Sequence, residues 1–131
     1  MTEQRAALGR VHDVIARLLR EGRVVADTDG SVHRLAPVAA SAAEGEALRH
    51  WVIAVEATQT IEVGLGYGVS ALSICEGLLS TGDRAARHVV IDPHQASRFA
   101  NCGLQVLQEA GLAEMVESHF EASELMLPRL L

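Results

Sequence analysis

Ile61-Glu62-Val63-Gly64-Leu65-Gly66-Tyr67-Gly68-Val69-Ser70 is the stretch that decides how this chain folds. A short β-type run, Thr58 to Val63, ends in three glycines at alternate positions, and an apolar stretch from Val69 to Leu79 follows. A glycine-rich turn between a strand and a helix lets a ligand approach the backbone closely. The helix then presents its free N–H groups at that point. The spacing is G-x-G-x-G, because position 69 is Val where a dinucleotide fingerprint wants Gly. No G-K-[ST] follows, which counts against a phosphate loop of the ATPase type. Glu62, just before the first glycine, repels a pyrophosphate and suits a cationic ligand.

Working outward, the apolar period supplies the neighbours. Val69 to Leu79 is apolar on most sides, as in a helix covered twice over. Ser80 to Asp83 reads as a turn, and His88 to Ile91 as a strand ended by Asp92-Pro93. An unbroken apolar strand is the mark of a sheet buried on both faces. Asp92 lies about thirty residues after Glu62, where an acid accepts hydrogen bonds from both hydroxyls of a ribose. Ser97 to Ala110 is expected to be helical, with Phe99, Cys102, Val106 and Ala110 on one stripe and Gly111 as its stop. Met115 to His119 is a third strand, and Ser123 a helix cap. The alternation of strand and helix predicts an α/β fold with a parallel sheet.

Upstream, Val11, Val14, Ile15, Leu18 and Leu19 form one helical stripe that Gly22 ends. Val24-Val25 and Val32 to Leu35 flank a turn at residues 26–31 as a hairpin. Ser41-Ala42-Ala43-Glu44 has the spacing of a capping box, which starts a helix running to about Val55 with Ala47, Trp51 and Ala54 on one face. Trp51, the sole tryptophan, reads as a core anchor.

With these motifs in place, the chain resembles class I S-adenosylmethionine (SAM) dependent methyltransferases, of the bacterial small-molecule branch with E-V-G-x-x-x-G-x-S and I-D-P signatures. Ile61 to Leu72 is similar to the family's first motif, Val90-Ile91-Asp92-Pro93-His94-Gln95 to its second, and Phe120 to Pro128 to its third strand and following helix. The likeness runs from about Ser41 to the end and is specific in the first two motifs. It implies a three-layer Rossmann-like parallel sheet with strand order 3-2-1, the later strands missing. It divides the chain into an N-terminal helical extension, residues 1–57, and a SAM-binding half domain, residues 58–131. Carried over by position, Glu62, Val63 and the loop Gly64, Leu65, Gly66, Tyr67 and Gly68 hold the methionine part of SAM. Asp92 holds the ribose, with Pro93 and His94 beside it. Ala122 and Ser123 border adenine; relatives often carry an acid where Ala122 stands, a departure that leaves the adenine contact to Ser123 or a backbone amide.

The family orders its strands 3-2-1-4-5-7-6, and the acceptor-facing acid usually ends the fourth. This chain supplies the first three. Strand 1, Thr60 to Val63, is central in the family and an apolar edge here, which invites pairing with another chain. The expectation is a homo-oligomer or the remainder of a longer chain. No catalytic base is identified. His12, His33, His50, His88, His94 and His119 are spread out without metal-ligand spacing, and Ser70 lacks a nucleophile-elbow context.

Composition narrows the classes. A chain of 131 residues with 49% apolar residues fits one small domain with a real core. The net charge is −6, and the scattered basic residues are all Arg, with no basic stripe for nucleic acid. No apolar run approaches the length that spans a membrane, and the N-terminus lacks the apolar core of a signal peptide. Cys75 and Cys102 read as reduced core thiols, so a cytoplasmic setting is expected. Three functions follow: a methyltransferase acting on a small-molecule acceptor, a catalytically incomplete SAM- or partner-binding module of the same fold, and a nicotinamide-dependent dehydrogenase. Val69 and Glu62 count against the last.

Overall fold

The computed structural model describes residues 2–131. Helix α1 spans Thr2–Glu21 and is followed by a two-stranded antiparallel hairpin, β1 (Arg23–Val25) and β2 (Val32–Arg34). Helix α2 (Ala42–Ala54) leads to β3 (Gln59–Val63), α3 (Val69–Thr81), β4 (Arg87–Ile91), α4 (Cys102–Glu109), β5 (Val116–His119) and α5 (Ser123–Leu130). The second sheet is parallel throughout, in the order β3-β4-β5. The expected α/β fold, with strands ordered 3-2-1 and an N-terminal extension, is therefore present, and so is the hairpin.

The register places Thr60 beside His88 and Glu62 beside Val90, so these four share one face of the sheet. That face is the buried one: His88 and Val90 are 0% and 1% exposed. One continuous core joins Val11, Val14 and Leu18 of α1 to Val24 and Leu35 of the hairpin, Leu72 and Cys75 of α3, Val90 of β4, and Cys102 and Val106 of α4. Because α1 shares this core, its apolar stripe is what holds it on the sheet layer. Truncating fully buried Leu18 to Ala should cost about 2–5 kcal/mol.

Helix α2 starts as its sequence predicts. The Ser41 side chain accepts from the Glu44 N–H at 3.1 Å, and the Glu44 carboxylate accepts from the Ser41 N–H at 2.9 Å. Its buried face differs from the expected one. Gly45, Leu48 and Val52 meet α3, whereas Ala47, Trp51 and Ala54 face outward, Trp51 being 66% exposed. The reason is close approach. A Cβ on Gly45 would lie 2.6 Å from Ser73 Oγ, and one on Gly77 of α3 would lie 2.9 Å from Val52 Cβ. Two glycines bring the helices too near for an indole between them, so the contact stripe rotates by one residue.

Two further boundaries shift. The helix expected over Ser97 to Ala110 begins only at Cys102, because residues 93–101 form successive turns with Ala100 and Asn101 at positive φ. The stripe Phe99, Cys102, Val106 and Ala110 is nevertheless buried, since the turns leave its direction intact. Ser123 is the first residue of α5, not its cap; Ala122 occupies that place, and no side chain caps it. Cys75 and Cys102 are free and fully buried. The remaining departure from a closed α/β core lies at β3, which among the described residues pairs only with β4. Ile61 and Val63, on the face opposite Glu62, are 45% and 57% exposed.

Candidate functional site: a cleft over the glycine loop

The loop between β3 and α3 bends as its glycines permit. Gly64, Gly66 and Gly68 have φ of 90°, 55° and 87°, a region closed to most L-residues. Gly68 is doubly constrained, since a Cβ there would meet Val106 Cγ2 at 2.6 Å and Gly103 O at 3.2 Å. Gly64 has open space where its Cβ would be. The loop forms the floor of a cleft of about 330 Å³, walled by Val38 to Ala40 on one side and by Asp92, His94, Arg98 and Phe99 on the other. This volume sits at the small end of ligand pockets. The first turn of α3, with Val69 and Ser70, closes its end.

Asp92 secures the loop. Its Oδ2 accepts the backbone N–H of Leu65 and of Gly66, both at 3.1 Å, and the Gln95 side-chain amide at 3.0 Å. Its Oδ1 accepts the His94 N–H at 2.9 Å. At 3% exposure, this carboxylate is desolvated and compensated by those donors. Gln95, 0% exposed, completes the lattice. Its amide nitrogen also donates to Gly66 O at 3.0 Å, and its oxygen accepts from the N–H of Gly103 at 2.7 Å and of Leu104 at 3.2 Å. Gly103 packs against the loop so tightly that a Cβ would lie 2.5 Å from Gly66 O.

Glu62 lies outside the cleft wall. It accepts from the Ser70 hydroxyl, and its Oε1 lies 3.2 Å from His88 Nε2. His88 Nδ1 is 2.7 Å from Thr60 Oγ1, so the buried imidazole has a partner on each nitrogen. Burial pushes the nearby Cys75 thiol up to about 12, and the Glu62 charge adds to this. Tyr67 lies between His33 and Phe99, edge-on to the Phe99 ring at 5.1 Å, and burial raises its phenol above the ordinary value.

Of the residues singled out in the sequence, the structure brings Gly64, Leu65, Gly66, Tyr67, Gly68, Asp92 and His94 together around the cleft. Glu62 and Val63 lead into it from the strand, and Pro93, Ala122 and Ser123 are not among its walls. Sequence reasoning missed Gln95, Arg98, Gly103 and the segment Val38 to Ala40. Gln95 had a legible signal, as the amide next to the Asp92-Pro93-His94 turn. The segment had none, because only the fold lays it over Gly66, where Val38 Cγ1 comes within 3.7 Å of the would-be Cβ.

No protein-family model matches the chain. No curated protein aligns with it at a significant level. Solved structures do resemble it. The O-methyltransferase TomG from Streptomyces achromogenes, involved in tomaymycin synthesis and crystallised with SAM, superposes with a TM-score of 0.63 at 24% identity over 95% of this chain and 46% of its own. An O-methyltransferase from Bacillus cereus in complex with SAH, the demethylated product of SAM, gives 0.60 at 19% identity over 95% and 47%. The chain therefore has the fold found in the O-methyltransferases and spans about half the length of these two. A glycine loop at the end of the first parallel strand, with an acid at the end of the second, is the arrangement that this fold presents here.

Proposed function

We propose that this chain is the SAM-binding portion of a methyltransferase acting on a small-molecule acceptor. The cleft over the glycine loop carries this reading, since it offers both signs of charge to a zwitterionic ligand. Asp92 stands on one wall with Arg98, and Gly64, Gly66 and Gly68 add no side chain to the floor between Leu65 and Tyr67. Leu65 and Gly66 line the cofactor together with Tyr67, while Asp92 reaches the ribose through Oδ1, the oxygen that accepts a single bond from the protein. His94 flanks the ribose within the cleft, and the adenine extends beyond its walls, past Pro93, toward Ala122 and Ser123. Glu62 acts through Ser70 at the start of α3, and Val63 sets the strand end. When bound, SAM supplies an electrophilic methyl on its sulfonium; the protein's task is to hold that carbon in line with the acceptor's lone pair. The division at residues 57 and 58 into extension and half domain, the cytoplasmic setting and the absence of a nucleic-acid partner belong to the same reading.

Calorimetric titration of the folded chain with SAM, with NADH as competitor, tests it. Saturable SAM binding that NADH does not displace supports the reading, and NADH binding in its place overturns it. A second reading is favoured by the unpaired edge of β3 and by exposed Trp51, Ile61 and Val63. In it the chain is a catalytically incomplete module whose edge is completed by another polypeptide or by a second copy. Copurification of a companion chain with the folded protein, together with methyl transfer only in its presence, distinguishes this from the first.

A further inference from the structure

A chain of polar groups runs from the hairpin turn to the wall of the cleft. The Ser31 hydroxyl lies 2.5 Å from Asp29 Oδ1, which also accepts the Ser31 backbone N–H at 2.9 Å. Ser31 Oγ lies 2.7 Å from His33 Nε2, and His33 Nδ1 lies 3.3 Å from the Tyr67 hydroxyl. The hairpin is fixed in place for this. Asp27 N–H donates to Gln105 Oε1 at 2.8 Å, Gln105 Nε2 donates to Val25 O at 2.9 Å, and Thr28 Oγ1 donates to Ala100 O at 3.1 Å.

Valence sets the direction of every proton along the chain. An ionised carboxylate only accepts, so the Ser31 hydroxyl donates to Asp29. Those two bonds from Ser31 hold the Asp29 carboxyl below the usual carboxylate range, which keeps it ionised. With its proton spent, Ser31 Oγ accepts from His33 Nε2–H. In the neutral ring Nδ1 is then the bare nitrogen, and the Tyr67 hydroxyl must donate to it. The phenol oxygen is left with lone pairs only. Protonation of His33 reverses the last link: Nδ1–H donates to the phenol oxygen, and the phenol proton is released.

We propose that His33 is a positioning residue for Tyr67, and that its protonation state sets whether the phenol offers a lone pair or a proton to the occupant of the cleft. Resting on the SAM reading of that cleft, the neutral state is the binding one, because a lone pair suits an ammonium group. The groups facing this relay are Asp29 and Ser31 from the hairpin, Tyr67 from the glycine loop, Arg98 and Cys102 beside Tyr67, and Asp27 near Cys102. His94 lines the same cleft as Tyr67.

Tyr67 is the only tyrosine, so 13Cζ-tyrosine labelling gives one resonance from the whole chain. In the ligand-free protein that resonance is expected to shift with a single inflection as the imidazole gains its proton. His33→Gln should flatten the inflection. Ser31→Ala keeps the imidazole but cuts its link to Asp29, and should move the inflection to lower pH. An inflection that is absent in the wild type, or that persists unchanged in His33→Gln, overturns the proposal. Calorimetry with SAH supplies the second readout. Affinity should fall roughly three- to tenfold below the inflection in the wild type and by clearly less in His33→Gln and Tyr67→Phe, where only His94 remains at the cleft. Equal pH dependence in all three proteins overturns the link to binding. A wild type that binds no SAH at either pH overturns the SAM reading, while the tyrosine resonance alone then decides the relay.

Discussion

Asp92 holds Gly66: one carboxylate oxygen at the end of β4 accepts the Gly66 backbone N–H at 3.1 Å, and the same oxygen takes the Leu65 N–H beside it. The acid therefore shapes the glycine loop before it touches any ligand. Asp92→Ala is expected to lose about 2–3 kcal/mol of stability, since it strands buried donors that served a charged acceptor. Asp92→Asn keeps the volume and one oxygen, and should lose less. Urea unfolding of the three proteins reads this directly. A variant as stable as the wild type would show that the loop holds its shape without the acid.

The loop's glycines are not equivalent. Gly68→Ala sets a methyl against Val106 Cγ2 at 2.6 Å and the Gly103 carbonyl at 3.2 Å in addition to its positive φ, whereas Gly64→Ala meets open space and carries only the backbone cost. The expected loss is about 1–2 kcal/mol for Gly64→Ala. Overpacking adds a further ~1–3 kcal/mol for Gly68→Ala. Equal midpoints in denaturant would mean that α4 moves aside without cost.

Cys75 supplies a pH prediction. Its thiol is fully buried and pushed up to about 12, so at neutral pH it stays protonated and unreactive. The folded-state pKa lies above the unfolded one, so the associated stability is fully present below about pH 9 and is lost as pH rises toward 12. Ellman's reagent should leave the native chain unlabelled at pH 8 and label it on unfolding. Cys75→Ser should flatten the alkaline loss of stability. Rapid labelling of the native protein would place the thiol at the surface.

The order of elements was legible because glycine spacing and apolar period are local properties. Ile61 to Ser70 contains its strand, turn and helix start within ten residues. The capping box at Ser41 is equally local. What escaped depended on distance. Trp51 reads as core in its own helix, but the close α2–α3 contact through Gly45 and Gly77 turned it outward. The late start of α4 follows from Gln95, whose side chain takes the N–H groups of Gly103 and Leu104 and so acts as a cap from eight residues upstream. The walls of the cleft contributed by Val38 to Ala40 and Arg98, and the bond between His33 and Tyr67, join parts of the chain that no sequence spacing relates.

The exposed side of β3 leads to the last prediction. Val63 is 57% exposed on a strand paired along one edge only, and Trp51 is 66% exposed on the helix before it. Unpaired strand edges with apolar neighbours recruit further strands, and a lysine on the edge blocks this. The single tryptophan makes the event visible. At low concentration its emission should resemble that of tryptophan in water, and with rising concentration it should shift to the blue as light scattering reports a larger species. Val63→Lys should keep the chain monomeric and its emission red at every concentration, while changing stability by less than about 0.5 kcal/mol because the site is on the surface. A wild type that stays monomeric with red emission throughout would show that the edge does not recruit its own copies.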